Sequence, residues 1–316
     1  MTVVLKNTEE WQSDMNRINY NMKEHGFVGH LSIPEQSTKY GVIVIMGGEQ
    51  SLLPGTLIAD RFADYGIAAL AVSLFGAEGL SDGANQISLD MFIPALKVLK
   101  DMGCTNISTY GMSMGSIFAA LIPKYIGGVD NVILCSPTHV PFEGTVDKKS
   151  NSGRSIATWK GQDIPFVRPC FAHRKMNKYY FDEEANRKVT GMWIAYRDAY
   201  RDKDLEALAD LKLYETGARI LLIAGTGDEA WPSDYSVNYI KSQLDAIKYE
   251  KEYKVCIYPN ASHLIGMMPN KKRERKLYRM LPLVGFIYKT FGKHKMECMN
   301  ALEESEKEIV NWVLDS

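Results

Sequence analysis

The sequence has no apolar run close to the ~20 residues that a helix needs to cross a bilayer, so no helical membrane span is expected. It also lacks charge of one sign: 37 Lys and Arg stand against 38 Asp and Glu, for a net charge of −1. That balance draws the chain as a whole neither to nucleic acid nor to an anionic surface, and the expected partner is a small molecule. Cysteine is sparse. The five, Cys104, Cys135, Cys170, Cys256 and Cys298, are odd in number and have neither zinc-site nor redox-pair spacing. Cys104, Cys135 and Cys256 lie in or beside apolar runs and read as small core residues, which suits a reducing cytoplasm. The first residues, MTVVLKNTEEW, hold too few apolar side chains for a signal peptide. There is no internal repeat, no low-complexity tract, no glycine fingerprint for phosphate opening a βαβ unit, and no ligand cluster at metal spacing. Neither cofactor nor metal is expected.

What recurs is a short apolar run, a glycine-rich or polar turn, then a helical pattern. Phe27–Ile33 alternates and reads as a first strand. Gly41–Met46, Ile67–Ser73, Asn106–Tyr110, Asn131–Cys135, Arg219–Ala224 and Tyr253–Tyr258 read as further strands, most of them apolar throughout. Helical spacing covers Thr56–Tyr65, Ile87–Met102, Met114–Lys124, Ser233–Ile247 and Lys295–Leu314. Apolar strands alternating with helices predict a mostly parallel, doubly wound α/β sheet covered on both faces, with its chemistry at the carboxyl ends of the strands.

One segment breaks the rhythm. From about Pro141 to Tyr214 aromatic and basic residues crowd together without a convincing buried strand, and Tyr179–Ala209 reads as helical. It is expected to be a cap inserted into a single domain spanning residues 1–316. A solvated decoration without a role is the plain alternative.

Gly111-Met112-Ser113-Met114-Gly115 matches the G-x-S-x-G nucleophile elbow. The serine of such an elbow sits in a sharp turn between strand and helix, and the flanking glycines remove side chains the turn has no room for. Here a strand runs into the motif and an apolar helix runs out of it. A serine hydroxyl needs a base to take its proton. In chain order Ser…Asp…His, the acid is expected after one late strand and the base after the last. Asp228 and His263 occupy those places; Glu229 and His139 are the alternatives. Two backbone donors should hold the developing oxyanion: Met114 N–H after the nucleophile, and Glu49 or Gly48 N–H in the Gly47-Gly48 loop. These features together predict an α/β-hydrolase fold with an inserted cap and a serine nucleophile.

Several stretches resemble the catalytic domain shared by acyl-CoA thioesterases and bile acid-CoA:amino acid N-acyltransferases. They are FADYGIAALAVSLFGAEGL at Phe62–Leu80, the elbow, Leu221–Leu244 with Asp228 and Trp231 in GDEAWPS, CIYPNASH at Cys256–His263, and the tail FGKHKMECMNALEESEKEIVNWV. The likeness runs through most of the chain from about Val42. It implies the nucleophile, acid and base at Ser113, Asp228 and His263. Serine at the elbow is similar to the thioesterase branch, the transferase branch being associated with cysteine. Where the family's elbow usually continues with a glycine pair and a charged residue, this chain has Met114-Gly115-Ser116, and the sandwich domain of animal members is not expected here.

The expected activity is hydrolysis of acyl thioesters through an acyl-enzyme on Ser113. A carboxylesterase or acyltransferase of the same fold is the first alternative, and a binding module without turnover the second. Trp231 and the segment's aromatics Phe142, Trp159, Phe166, Phe171, Tyr179 and Tyr180 would enclose the acyl chain. Phosphates of a CoA-like leaving group would meet Lys148, Lys149, Arg154, Lys160 and Arg168, or the run Lys271-Lys272-Arg273-Glu274-Arg275-Lys276, with Lys271 and Arg273 foremost.

Overall fold

Runs that are apolar at every position can be buried only between two covered faces, and GVIVI, AALAV, NVILC and RILLIA become the middle of a sheet. The computed structural model describes residues 16–48, 50–146, 151–170, 175–276, 285 and 288–316. Its main sheet has eight strands: β1 (Asn16–Tyr20), β2 (Gly29–Ile33), β3 (Tyr40–Ile45), β4 (Ala68–Val72), β5 (Asn106–Met112), β6 (Asn131–Cys135), β7 (Arg219–Gly225) and β8 (Tyr253–Tyr258). The spatial order is β1-β2-β4-β3-β5-β6-β7-β8. Strand β2 pairs antiparallel with both β1 and β4, and every later pairing is parallel.

Successive side chains of a strand point to opposite faces, and the core divides accordingly. Ile43, Ile45, Leu134 and Leu222 face one way, under α2 (Phe92–Asp101), α3 (Gly115–Tyr125) and α6 (Ser233–Ala246). Val42, Val44, Ile133, Leu221 and Ile223 face the other, under α1 (Leu53–Asp64) and α7 (Lys295–Leu314). Helices α4 (Gly191–Ala199) and α5 (Lys203–Ala209) are capped by Thr190 and Asp202, whose side chains accept from Trp193 N–H and Leu205 N–H. No helix of the described residues is long and apolar enough to cross a membrane. Cys104, Cys135 and Cys298 are buried, Cys256 is half-buried, and all five cysteines are free.

The structure departs from the sequence reading in three places. Strand β1 precedes the expected first strand; its residues NRINY are almost all exposed, so no apolar pattern marks it. The expected helix Ile87–Met102 splits into a two-residue strand at Ile87–Ser88, a 3₁₀ turn at Leu89–Met91, and α2. The strand exists because Ala157 and Thr158, far along the chain, pair with it. Tyr179–Ala209 is not helical throughout: Tyr179–Asp182 and Arg187–Thr190 form an antiparallel hairpin before α4 and α5. Asn186 takes φ 50° in the hairpin's turn, a left-handed conformation that Asn tolerates better than most residues. The strand residues YYFD and RKVT include the aromatic and β-branched types that favour strands.

Candidate active site

Strand β5 delivers Ser113 and α3 leaves from it. Between them Ser113 sits at φ 58°, a left-handed conformation unusual for a residue with a side chain. The turn closes so tightly that the flanking glycines have no substitute. A Cβ on Gly111 would stand 2.6 Å from Ala119 Cβ and from Gly115 O, and one on Gly115 would stand 2.2 Å from Ile45 O. Ser113 N–H donates to Cys135 O at 2.9 Å, tying the turn to the end of β6.

His263 follows β8 and Asp228 follows β7. His263 Nε2 lies 2.9 Å from Ser113 Oγ, and its Nδ1 lies 2.9 Å from Asp228 Oδ2. An ionised carboxylate only accepts, so Nδ1 carries the proton and Nε2 turns its lone pair to the serine hydroxyl. Asp228 is fully buried and held on both oxygens: Oδ2 accepts from the Ser233 hydroxyl at 2.6 Å, and Oδ1 from Ala230 N–H at 2.9 Å. The Ser136 hydroxyl donates to His263 O at 2.7 Å, and the rings of Trp231 and Tyr288 stand 5.1 and 5.7 Å from the imidazole.

Met114 is the residue from which α3 starts, and Gly48 faces it: a Cβ on Gly48 would meet Met114 Cε at 3.4 Å. Glu49 lies outside the described residues, as do Lys148, Lys149 and Phe171. Ser113 and His263 open into a cavity of about 630 Å³. Its wall is mainly apolar, with Met112, Met114, Met176 and Met192 beside Phe142, Tyr196, Trp231 and Tyr288. Methionine is unbranched and polarizable, which suits a wall that must mould to a flexible chain. Among the described residues, Glu143 is the one carboxylate on this wall.

The two alternatives have other work. His139 is completely buried, its Nδ1 2.9 Å from Ser236 Oγ and its Nε2 3.0 Å from Glu206 Oε1. Glu229 points away from His263: its Oε1 accepts from the Tyr179 hydroxyl at 3.0 Å and from Thr290 N–H at 2.8 Å. Burial pushes its carboxyl above the ordinary range. Of the described residues expected to bind substrate, Trp231 and Phe142 line the cavity and the rest stand elsewhere. Trp159 packs on Tyr125, Phe166 lies under the Arg168 guanidinium, and Tyr180 packs against the buried group of Val189, Trp193 and Ile194. Arg273 pairs with Asp64 at 2.5 Å, and Lys271 lines a separate small cleft with Arg61 and Glu306. Both belong to the face covered by α1 and α7, because the chain turns back along that face after His263. Arg154 pairs with Asp163 at 2.7 Å. Met176, Met192 and Tyr288 went unforeseen, since they come from separate segments that share no period.

The family described as BAAT / Acyl-CoA thioester hydrolase C terminal matches residues 87–276. The chain belongs to this family. Membership places it among enzymes that hydrolyse esters or thioesters. A search of curated proteins finds no match. Among solved structures, a thermostable carboxyl esterase from Bacillus coagulans is similar at 15% identity and a TM-score of 0.51, over 87% of this chain and 99% of that one. The esterase Est2 from Thermogutta terrifontis is 12% identical with a TM-score of 0.46, over 86% and 93%. Est1E from Butyrivibrio proteoclasticus, with ferulic acid bound, is 17% identical with a TM-score of 0.40, over 74% and 86%. The likeness to the carboxyl esterase shows the α/β-hydrolase fold, and this chain has it.

Proposed function

We propose that the protein hydrolyses acyl thioesters through an acyl-enzyme on Ser113. The observation that carries this reading is the continuous hydrogen-bond path Ser113–His263–Asp228, with both links at 2.9 Å and the serine on a left-handed turn. Ser113 Oγ attacks the acyl carbonyl carbon as its proton passes to His263 Nε2. The negative charge that gathers on the carbonyl oxygen is met by Met114 N–H and a second N–H from the Gly48–Glu49 loop. As the C–S bond breaks, His263 returns the proton to the departing sulfur. Water then repeats the sequence: His263 takes its proton, the hydroxide adds to the acyl carbon, and Ser113 leaves with the proton restored. Asp228 holds the imidazole's tautomer and stabilises it while it is charged. The segment from about Pro141 to Tyr214 acts as a cap, a reading supported by Phe142, Met176, Met192 and Tyr196, which line the cavity together with Ser113.

A fluorophosphonate probe should label the protein on Ser113, and a panel pairing each acyl group as a thioester and as an oxygen ester should give the higher kcat/KM on the thioester. Labelling with a preference for oxygen esters would make the protein a carboxylesterase. Labelling without turnover on any ester, unless an amine or alcohol acceptor is added, would make it an acyltransferase.

A further inference from the structure

Asp228 stands on a loop beyond the end of β7, and the carbonyls of a buried loop must find partners outside the sheet ladder. The hairpin of Tyr179–Asp182 and Arg187–Thr190 supplies them. Arg187 Nη2 donates to Asp228 O at 2.8 Å, and the Thr190 hydroxyl donates to Glu229 O at 2.5 Å. The Glu229 side chain extends the grip. It is fully buried, and its Oε1 accepts from the Tyr179 hydroxyl at 3.0 Å and from Thr290 N–H at 2.8 Å. Lys289 N–H in turn donates to the Tyr179 oxygen at 3.2 Å, joining the hairpin to the segment that carries Thr290. A Cβ on Gly227 would stand 2.5 Å from Thr290 Cγ2, so glycine there lets that segment come close. Two segments far apart in the chain thus close on two consecutive residues, one of them the acid partner of His263.

The hold on Asp228 therefore has two parts. Ala230 N–H, the Ser233 hydroxyl and His263 meet its carboxylate, while the hairpin meets the backbone that bears it. Tyr179, Arg187, Thr190, Glu229 and Thr290 do not line the cavity at Ser113. Tyr179, Arg187 and Thr290 line a separate cleft of about 790 Å³, on a wall shared with four lysines. A change in the grip should consequently reach the reaction through the imidazole and leave the acyl site alone. Misplacing a reacting group by about 1 Å is enough to cost on the order of 100-fold. Burial, with the charge of Asp228 beside it, pushes the Glu229 carboxyl above the ordinary range. An amide oxygen in its place would accept the same two bonds.

We propose that Arg187 and Glu229 are positioning residues for the reaction, fixing through the Asp228–Glu229 backbone the carboxylate that orients His263. The proposal rests on the reading of Ser113, His263 and Asp228 given above. Its test uses p-nitrophenyl butyrate, with kcat expressed per Ser113 labelled by a fluorophosphonate, so that only folded sites are counted. Glu229→Leu removes the acceptor and keeps most of the bulk; kcat should fall by about tenfold or more, with KM within about twofold of wild type. Arg187→Met should show the same split. Glu229→Gln restores the acceptor oxygen and should keep kcat within about threefold of wild type. Tyr179→Phe removes one hydroxyl from a half-buried ring, and its smaller loss in kcat at constant KM decides the matter if Glu229→Leu does not fold. A Glu229→Gln variant as slow as Glu229→Leu would overturn the proposal, because the carboxylate itself would then take part in the reaction. Wild-type kcat in the Leu, Met and Phe variants, or losses carried by KM, would overturn it too and leave the hydrolase reading intact. If the wild type is not labelled and does not cleave the ester, the functional reading fails and the proposal falls with it.

Discussion

At Ser113 the left-handed backbone and the 2.9 Å contact to His263 make one device, because the turn that strains the chain also lifts the hydroxyl to the imidazole. Ser113→Ala should abolish fluorophosphonate labelling and lower turnover by about 10⁶, the loss seen when a member of such a unit is removed. Retention of more than about a tenth of the activity would take Ser113 out of the reaction. His139 belongs to stability instead. Burial holds its imidazole below the ordinary value of 6.5, against the opposing pull of Glu206. The unfolded chain therefore binds this proton more readily, so the contribution is complete above about pH 6.5 and is lost as pH falls through that value towards the lower folded one. The melting temperature should fall on going from about pH 7.5 to 5.5, and less steeply in His139→Gln. Equal slopes in the two proteins would show that His139 is not the group responsible. Fluorophosphonate labelling should survive the substitution. Asp228 and His263 were legible as residues because each follows a strand in the order the chemistry demands. That these two side chains, and not Glu229 and His139, lie in line with Ser113 became visible only in the fold.

In the packing of elements, the contact between β3 and α3 sets how closely Ser113 approaches the Gly48 loop. Gly115→Ala would drive a Cβ to 2.2 Å from Ile45 O and 2.4 Å from Met46 O, both rigid backbone. The helix must then shift, and urea unfolding should show a loss of about 3 kcal/mol. Gly48→Ala is the contrast: its Cβ meets only the flexible end of Met114 at 3.4 Å, so stability should stay within about 0.5 kcal/mol. If the two variants unfolded alike, close approach would not be what those glycines provide. Elements with a clear period or an unbroken apolar run were readable. Ile87–Ser88 and the hairpin at Tyr179–Thr190 were not: two-residue and half-exposed strands draw their stability from partners, and a local pattern does not report them.

Across the whole molecule, α7 closes the sheet face that α1 leaves open, bringing the end of the chain onto its first half. Tyr40 OH donates to Leu314 O at 2.7 Å, and Arg219 stacks on Trp312 with 4.2 Å between the guanidinium carbon and the ring centroid. Trp312→Ala should therefore cost about 3–5 kcal/mol in urea unfolding, a core loss although the residue is four from the end. A cost under about 1 kcal/mol would mean that α7 is not part of this core. Periodicity, turn chemistry and chain order are local or one-dimensional, so the sheet, the elbow and the candidate nucleophile, acid and base could be read from the residues alone. Where charge and apolar surface gather depends on which segments the fold brings together. Arg154 and Arg273, read as phosphate ligands, are neutralised by Asp163 and Asp64, while Lys178, Arg187, Lys188, Lys289 and Lys293 come from separate segments onto one wall. A side chain's charge is written in the sequence, but its partner is chosen by the fold.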